Sequence, residues 1–86
     1  MGIHKRKIKK GKLGEISKIT EEYEELMDGV EQDNPVLILC ELCDLIGAIE
    51  AYSETKHKIS LKNLLKMKEC TKGAFLNGTR IKHISE

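Results

Sequence analysis

The sequence predicts an all-α domain, and three observations carry that expectation. Apolar residues recur at three- and four-residue spacing through most of the chain, only 3% of residues are aromatic with no Trp, and the single Pro separates two periodic stretches. Alternating aromatic and β-branched runs, the mark of strands, are missing. At 86 residues the chain makes one small domain with little volume for a private core. The expected architecture is therefore an antiparallel helical hairpin plus a third helix, forming four-helix bundles through oligomerisation as a homodimer or homotetramer.

Residues 1–12 lack helical periodicity and form a basic N-terminal arm; residues 13–86 form the helical domain. The net charge of +1 hides a segregation, because residues 4–12 (HKRKIKKGK) hold six of the fifteen Lys and Arg, whereas residues 13–50 hold eleven of the fourteen Asp and Glu. A basic arm ahead of an acidic middle argues against a simple polyanion such as duplex DNA as the partner. A polybasic segment of this kind is usually solvated; the arm, with Lys9, Lys10 and Lys12, could also fold over a site, but nothing in the sequence orders it.

The first helix is expected from Leu13 to Gln32. Leu13, Ile16, Ile19, Tyr23, Leu26 and Val30 share one face, and Glu21, Glu24 and Asp28 fall on the far, solvated side. Glu22 and Glu25 occupy another stripe, with Lys18, at the border of the apolar face. Gln32-Asp33-Asn34-Pro35 reads as a short turn in which Asn34 or Asp33 caps the next helix and Pro35 takes its first position. So short a connection makes the two helices antiparallel.

The second helix, ending near Thr55, contains Val36–Tyr52 (VLILCELCDLIGAIEAY), whose apolar residues surround the axis as in a helix covered on most sides. Glu41 and Asp44, three apart, sit on one face of it. Gly47, Ala48 and Ala51 nearby are small enough to leave room for a ligand or a close helix. Ser60 is the expected N-cap of a third helix from Leu61 to about Leu76, stopped by Asn77-Gly78.

Two acidic pairs thus stand on two antiparallel helices, Glu22-x-x-Glu25 on the first and Glu41-x-x-Asp44 on the second. Each lies nine to ten residues from the middle of the turn, so the pairs come level when the hairpin closes. Carboxylates gathered at one height repel, and a buried charge costs several kcal/mol unless an opposite charge meets it. Hard oxygen donors in this number suit Mg²⁺, or Mn²⁺, ions that bind substrate phosphates. The plainer alternative is that Glu22 and Glu25 are surface acids and Glu41 pairs with a lysine.

Lys18-Ile19-Thr20-Glu21-Glu22-Tyr23-Glu24-Glu25-Leu26, followed by Glu41-Leu42-Cys43-Asp44-Leu45-Ile46, resembles the E-E-x-x-E … E-x-x-D signature of the MazG-like all-α nucleotide pyrophosphohydrolases. The likeness covers about residues 13–55. Lys72-Gly73-Ala74-Phe75 and Asn77-Gly78-Thr79-Arg80 resemble, more weakly, a later segment of small phage-encoded members. The resemblance implies Mg²⁺-dependent hydrolysis of a nucleoside triphosphate between its α- and β-phosphates, giving monophosphate and pyrophosphate. On the matching positions it implies Glu22, Glu25, Glu41 and Asp44 as metal ligands, with catalysis resting on Glu25 and Glu22 and Glu25 as the expected base. This chain is shorter than many such enzymes and lacks helices that enclose the base in some of them, which favours shared sites in an oligomer. Candidate cations for the phosphates are Lys18, Lys66 and Arg80, the last with the bidentate geometry phosphate favours.

Other readings are weaker. A non-enzymatic helical module, its arm touching nucleic acid or its acidic face a basic partner, accounts for the charge segregation alone. Cys40-x-x-Cys43, with Cys70, His57 or His83, resembles half a zinc site, but both thiols lie inside an apolar helix with no second such pair and read as buried small hydrophobes. His4, His57 and His83 read as surface residues. Three cysteines, no secretory h-region and no long apolar span point to a cytoplasmic protein with reduced thiols. There is no Walker-type loop, nucleophile elbow or dinucleotide fingerprint.

Overall fold

The computed structural model describes residues 4–77, with side chains through Lys72. Its elements are α1 (Ile16–Glu31), α2 (Pro35–His57) and α3 (Leu61–Asn77), and the described residues contain no strand. None of these helices is long and apolar enough to cross a membrane.

α1 begins three residues later than periodicity suggests. Gly14 takes a φ of +92°, outside the right-handed helical region, so α1 does not extend back through it. The preceding backbone closes a turn instead, with Glu15 N–H donating to Lys12 O at 3.0 Å.

α1 and α2 form the expected antiparallel hairpin. At the turn, Gly29 faces Leu37 and Ile38, with space for a Cβ only at 3.3 Å from Leu37 Cγ. Midway, Glu25 meets Glu41. At the open end, Gly14 faces Thr55. The turn is made as its residue types dictate: Asp33 adopts φ +52°, Asn34 Oδ1 accepts the Leu37 N–H at 3.1 Å, and Pro35 opens α2 without losing a bonded donor.

α2 ends at Lys58, which takes the left-handed conformation at φ +58°. The buried Ser53 hydroxyl then donates to Ile59 O at 2.8 Å, fixing the bend towards α3. Ser60 caps α3 as expected, accepting the Asn63 N–H at 3.2 Å. α3 packs on α2 over a small area only.

Burial departs sharply from the sequence expectation. The buried apolar side chains are Leu37 and Ala48, while Glu21, Glu22, Asp28, Glu41 and Ser53 are buried with them. The stripe expected to face the core of α1 is largely outside: Leu13, Ile16, Tyr23 and Val30 are all about half exposed or more. α2 is likewise bare along Val36, Leu39, Leu42 and Ile46. Cys40, Cys43 and Cys70 are free and exposed, not buried as small hydrophobes. The hairpin has turned its acids inward because the N-terminal arm lies over them, leaving the apolar stripes facing outward.

Asn34 isolates the contribution of one local interaction. Asn34→Ala removes the cap of α2 and is expected to cost about 1 kcal/mol, read as a lowered midpoint in urea unfolding with an unchanged slope.

Candidate metal centre between the first two helices

The hairpin register delivers the four acids to one place. Glu22, Glu25, Glu41 and Asp44 each present a carboxylate oxygen, and these oxygens lie within 4.8 Å of one another. Glu22 and Glu41 are buried, Glu25 is half-buried and Asp44 is exposed at the rim. An ion with bonds of about 2.1 Å holds adjacent ligands about 3 Å apart and opposite ones about 4.2 Å apart. The observed set therefore needs only small side-chain adjustments to close on one.

Compensation of these charges is partial. Lys18, half-buried one turn earlier on α1, places Nζ 3.0 Å from Glu21 Oε1 and 3.1 Å from Glu22 Oε2. Its ammonium is thus paired within its own helix and anchors the acid pair. Glu22 Oε1 and Glu41 Oε1 remain buried with no hydrogen-bond partner. Burial, then the charge of Glu22, hydrogen bonds to Glu22 and Glu41 that need the Glu25 proton, and last the charge of Glu41 push the Glu25 carboxyl up to about 7. A site that leaves two buried oxygens bare and forces a third acid to hold its proton is short of positive charge.

The arm is not solvated as such segments usually are: it folds over the acidic side of the hairpin and runs antiparallel to α1. Gly11 N–H donates to Glu21 Oε1 at 2.9 Å, and Lys12 N–H to Ser17 Oγ at 3.0 Å. At the other end Lys5 N–H donates to Asp28 Oδ2 at 3.1 Å, and Arg6 pairs with Glu31. Lys10 lies 3.6 Å from Glu21 Oε2. Gly11 passes so close to α1 that a Cβ there would fall 2.2 Å from Ser17 O. Glu21 and Asp28 are thus buried anchors for backbone N–H groups, not solvated surface acids.

His4 is the largest correction. It is half-buried against the hairpin, with Nδ1 2.8 Å from Asp28 Oδ2 and Nε2 3.2 Å from Glu41 Oε2. Glu25 Oε1 lies 3.9 Å from the same Nε2. Burial disfavours the charged ring, but the Asp28 hydrogen bond with Glu25 and Glu41 outweighs it and raises the His4 pKa. Asp28 is lowered in turn: burial opposes ionisation, while His4, the Lys5 N–H and Gln32 favour it more strongly.

The other candidates separate. Lys66 is exposed on α3. Arg80 and His83 lie outside the described residues. His57 is exposed and meets Tyr52 edge-on at 5.5 Å between ring centroids. Among the described residues, the groups that gather metal donors contain no cysteine.

The sequence reading missed His4, Glu21 and Asp28. A signal was present in the spacing of Glu21 and Asp28, seven residues apart and so on one stripe of α1, matched by His4 and Gly11 seven apart in the arm. An extended arm outruns a helix over equal residue counts, however, so only the folded geometry shows the two meeting. Comparisons of the chain with known protein families, with curated proteins and with solved structures return no match.

These shifts fix the pH response of the metal-free protein. Glu25 and His4 bind protons more tightly folded than unfolded, so their contributions are full below the unfolded values. Glu25's is lost as pH rises from 4.5 to about 7, and His4's as pH rises above 6.5 through its raised value. Glu21 and Asp28, lowered by folding, lose theirs only as pH falls below the ordinary carboxylate range. Chelator-treated protein is expected to show a higher urea midpoint at pH 5 than at pH 8; an equal or higher midpoint at pH 8 contradicts this assignment.

Proposed function

We propose that this chain is a divalent-cation-dependent hydrolase that converts (deoxy)nucleoside triphosphates to monophosphate and pyrophosphate. One observation carries the reading: four carboxylates from two helices converge within 4.8 Å, and two of their oxygens are buried and unpartnered. The likeness of these positions to the MazG-like signature supports the same chemistry and selects its substrate class.

Glu22, Glu25, Glu41 and Asp44 would hold Mg²⁺, or Mn²⁺ in its place; the donors are all oxygen, and their number and spacing fit such an ion. When bound, the ion supplies charge neutralisation for the polyphosphate and polarises water and phosphoryl oxygen. The residues do the rest. Asp44 at the exposed rim marks the side from which phosphate enters. Lys18 holds Glu22 in place through the 3.1 Å contact. Glu25, half-buried beside Glu22 and Glu41, is the proton acceptor proposed for the attacking water. Lys18, Lys66 (exposed on α3) and Arg80 remain the cations proposed for the phosphates.

The assembled form we propose is a homo-oligomer in which hairpins pair into four-helix bundles. Ile16, Tyr23 and Val30 recur every seven residues along α1, and Leu39 and Ile46 do so along α2, with Leu42 between them. All are exposed, and a seven-residue repeat is the pattern that packs against another helix of the same kind. Burying each such side chain is worth about 1.5–3 kcal/mol, whereas among the described residues the buried apolar side chains of the single chain are Leu37 and Ala48. A second copy supplies the missing cover.

Activity is tested by pyrophosphate release from a panel of nucleoside triphosphates with Mg²⁺. Glu41→Gln and Asp44→Asn are expected to lower kcat/KM by about 10²–10⁴-fold and to leave the helical content intact. Glu25→Gln should abolish turnover yet raise metal-free stability by about 1 kcal/mol, some 4–8 °C in Tm at this size, because it removes a like charge. No turnover on any triphosphate, or a Glu25→Gln protein that is strongly destabilised, counts against the proposal.

Assembly is read by sedimentation or light scattering. The wild type is expected to run as a dimer or tetramer, and Ile46→Glu, which puts a charge in the seam, as a monomer. A monomeric wild type at micromolar concentration would remove the bundle from the picture.

A further inference from the structure

The N-terminal arm brings a nitrogen donor to a site otherwise made of oxygen. The geometry points to His4 as a ligand of the cation held between α1 and α2, with Asp28 as the group that orients its ring. This rests on the metal-centre reading above and adds to it a ligand, and a preference among ions, that the two acidic pairs do not supply.

Three independent placements carry the inference. His4, Glu25 and Glu41 form a second group whose donor atoms lie within 4.8 Å of one another, sharing Glu25 and Glu41 with the four-carboxylate set. Glu41, at 4% exposure, keeps Oε1 buried and unpartnered while its Oε2 faces His4 Nε2 at 3.2 Å. Opposite, His4 Nδ1 stands 2.8 Å from Oδ2 of Asp28, itself buried at 2% exposure. A histidine that ligates a metal through one nitrogen nearly always gives its other N–H to a carboxylate or carbonyl, which fixes tautomer and ring orientation. Asp28 occupies that second position, and a cation bound at Nε2 would take the place of the proton that Nε2 now shares with Glu41 at 3.2 Å, that proton leaving to solvent.

Asp28 is itself held for the task. Lys5 N–H donates to its Oδ2 at 3.1 Å and Gln32 Nε2 to the same oxygen at 2.9 Å, so the carboxylate is fixed from the arm and from the end of α1 together. A mixed nitrogen–oxygen donor set favours a first-row transition ion over Mg²⁺, because imidazole binds Mn²⁺ and its heavier neighbours better than the hard alkaline-earth ion. The site is thereby biased from Mg²⁺ towards first-row transition ions, of which Mn²⁺ is the one that also suits carboxylates, and the arm, not the acidic pairs, sets that bias.

Mn²⁺ is also the probe. Electron spin-echo spectroscopy of the full chain loaded with Mn²⁺ is expected to show ¹⁴N modulation from a directly bound imidazole. The modulation should vanish in His4→Gln and change to the ¹⁵N pattern when the protein carries ¹⁵N-histidine. His4→Gln should weaken Mn²⁺ binding by about tenfold or more and Mg²⁺ binding by less than about threefold, read by competition calorimetry. Asp28→Asn, which keeps the shape but not the charge, should weaken Mn²⁺ binding in the same direction. Mn²⁺ bound with no nitrogen coupling in the wild type overturns the role of His4 and leaves the carboxylate centre standing. Failure to bind Mn²⁺ or Mg²⁺ at millimolar concentration overturns both. Circular dichroism of each variant, matched to the wild type, separates a lost ligand from a lost fold.

Discussion

Mutual repulsion among carboxylates confined between two helices is the constraint around which this molecule is arranged. Glu22, Glu25 and Glu41 are wholly or partly withdrawn from water at one level of the hairpin, and Asp44 completes the set at its rim. In such a place like charges are poorly screened, and each acid must find a cation, hold a proton or raise the free energy of the fold. All three outcomes are visible. Glu22 has Lys18, Glu25 retains its proton to about 7, and two oxygens stay bare.

The basic arm answers part of that repulsion and explains the inverted burial. Its backbone N–H groups and its Lys, Arg and His side chains run along the acidic side of α1, so Glu21 and Asp28 are covered by chain that would otherwise be solvated. The side of the hairpin occupied by the arm is closed to further packing. What remains open is apolar, and the exposed residues of α1 and α2 are those that a helical protein of this size can least leave in water. Charge segregation in the sequence thus has an internal cause: the two halves of the polarity meet within one chain.

Where local chemistry decides, the sequence was legible. Pro35, Asn34 and Ser60 placed the helix starts, and counting from the turn brought Glu22 and Glu25 level with Glu41 and Asp44, because helical rise and a short loop leave little freedom. It was illegible where the outcome depends on which of two faces finds a partner. Periodicity says that Ile16, Tyr23 and Val30 share a side, not that the side is turned away from α2. His4 was out of reach for a related reason, since an arm without periodicity carries no register. Its position is set by Gly11, Lys5 and Asp28 acting together, and none of these contacts is local in sequence.

Gly11 gives that arrangement a mechanical character. Its backbone rides against Ser17 with no allowance for even one methyl group, yet it bears no charge of its own. The segment ahead of it is seated by fit as much as by attraction, so salt and shape act on the arm through different handles. A bulkier residue at this pivot would unlatch the cationic strand and uncover the acids beneath, with every ionisable group in the molecule left in place.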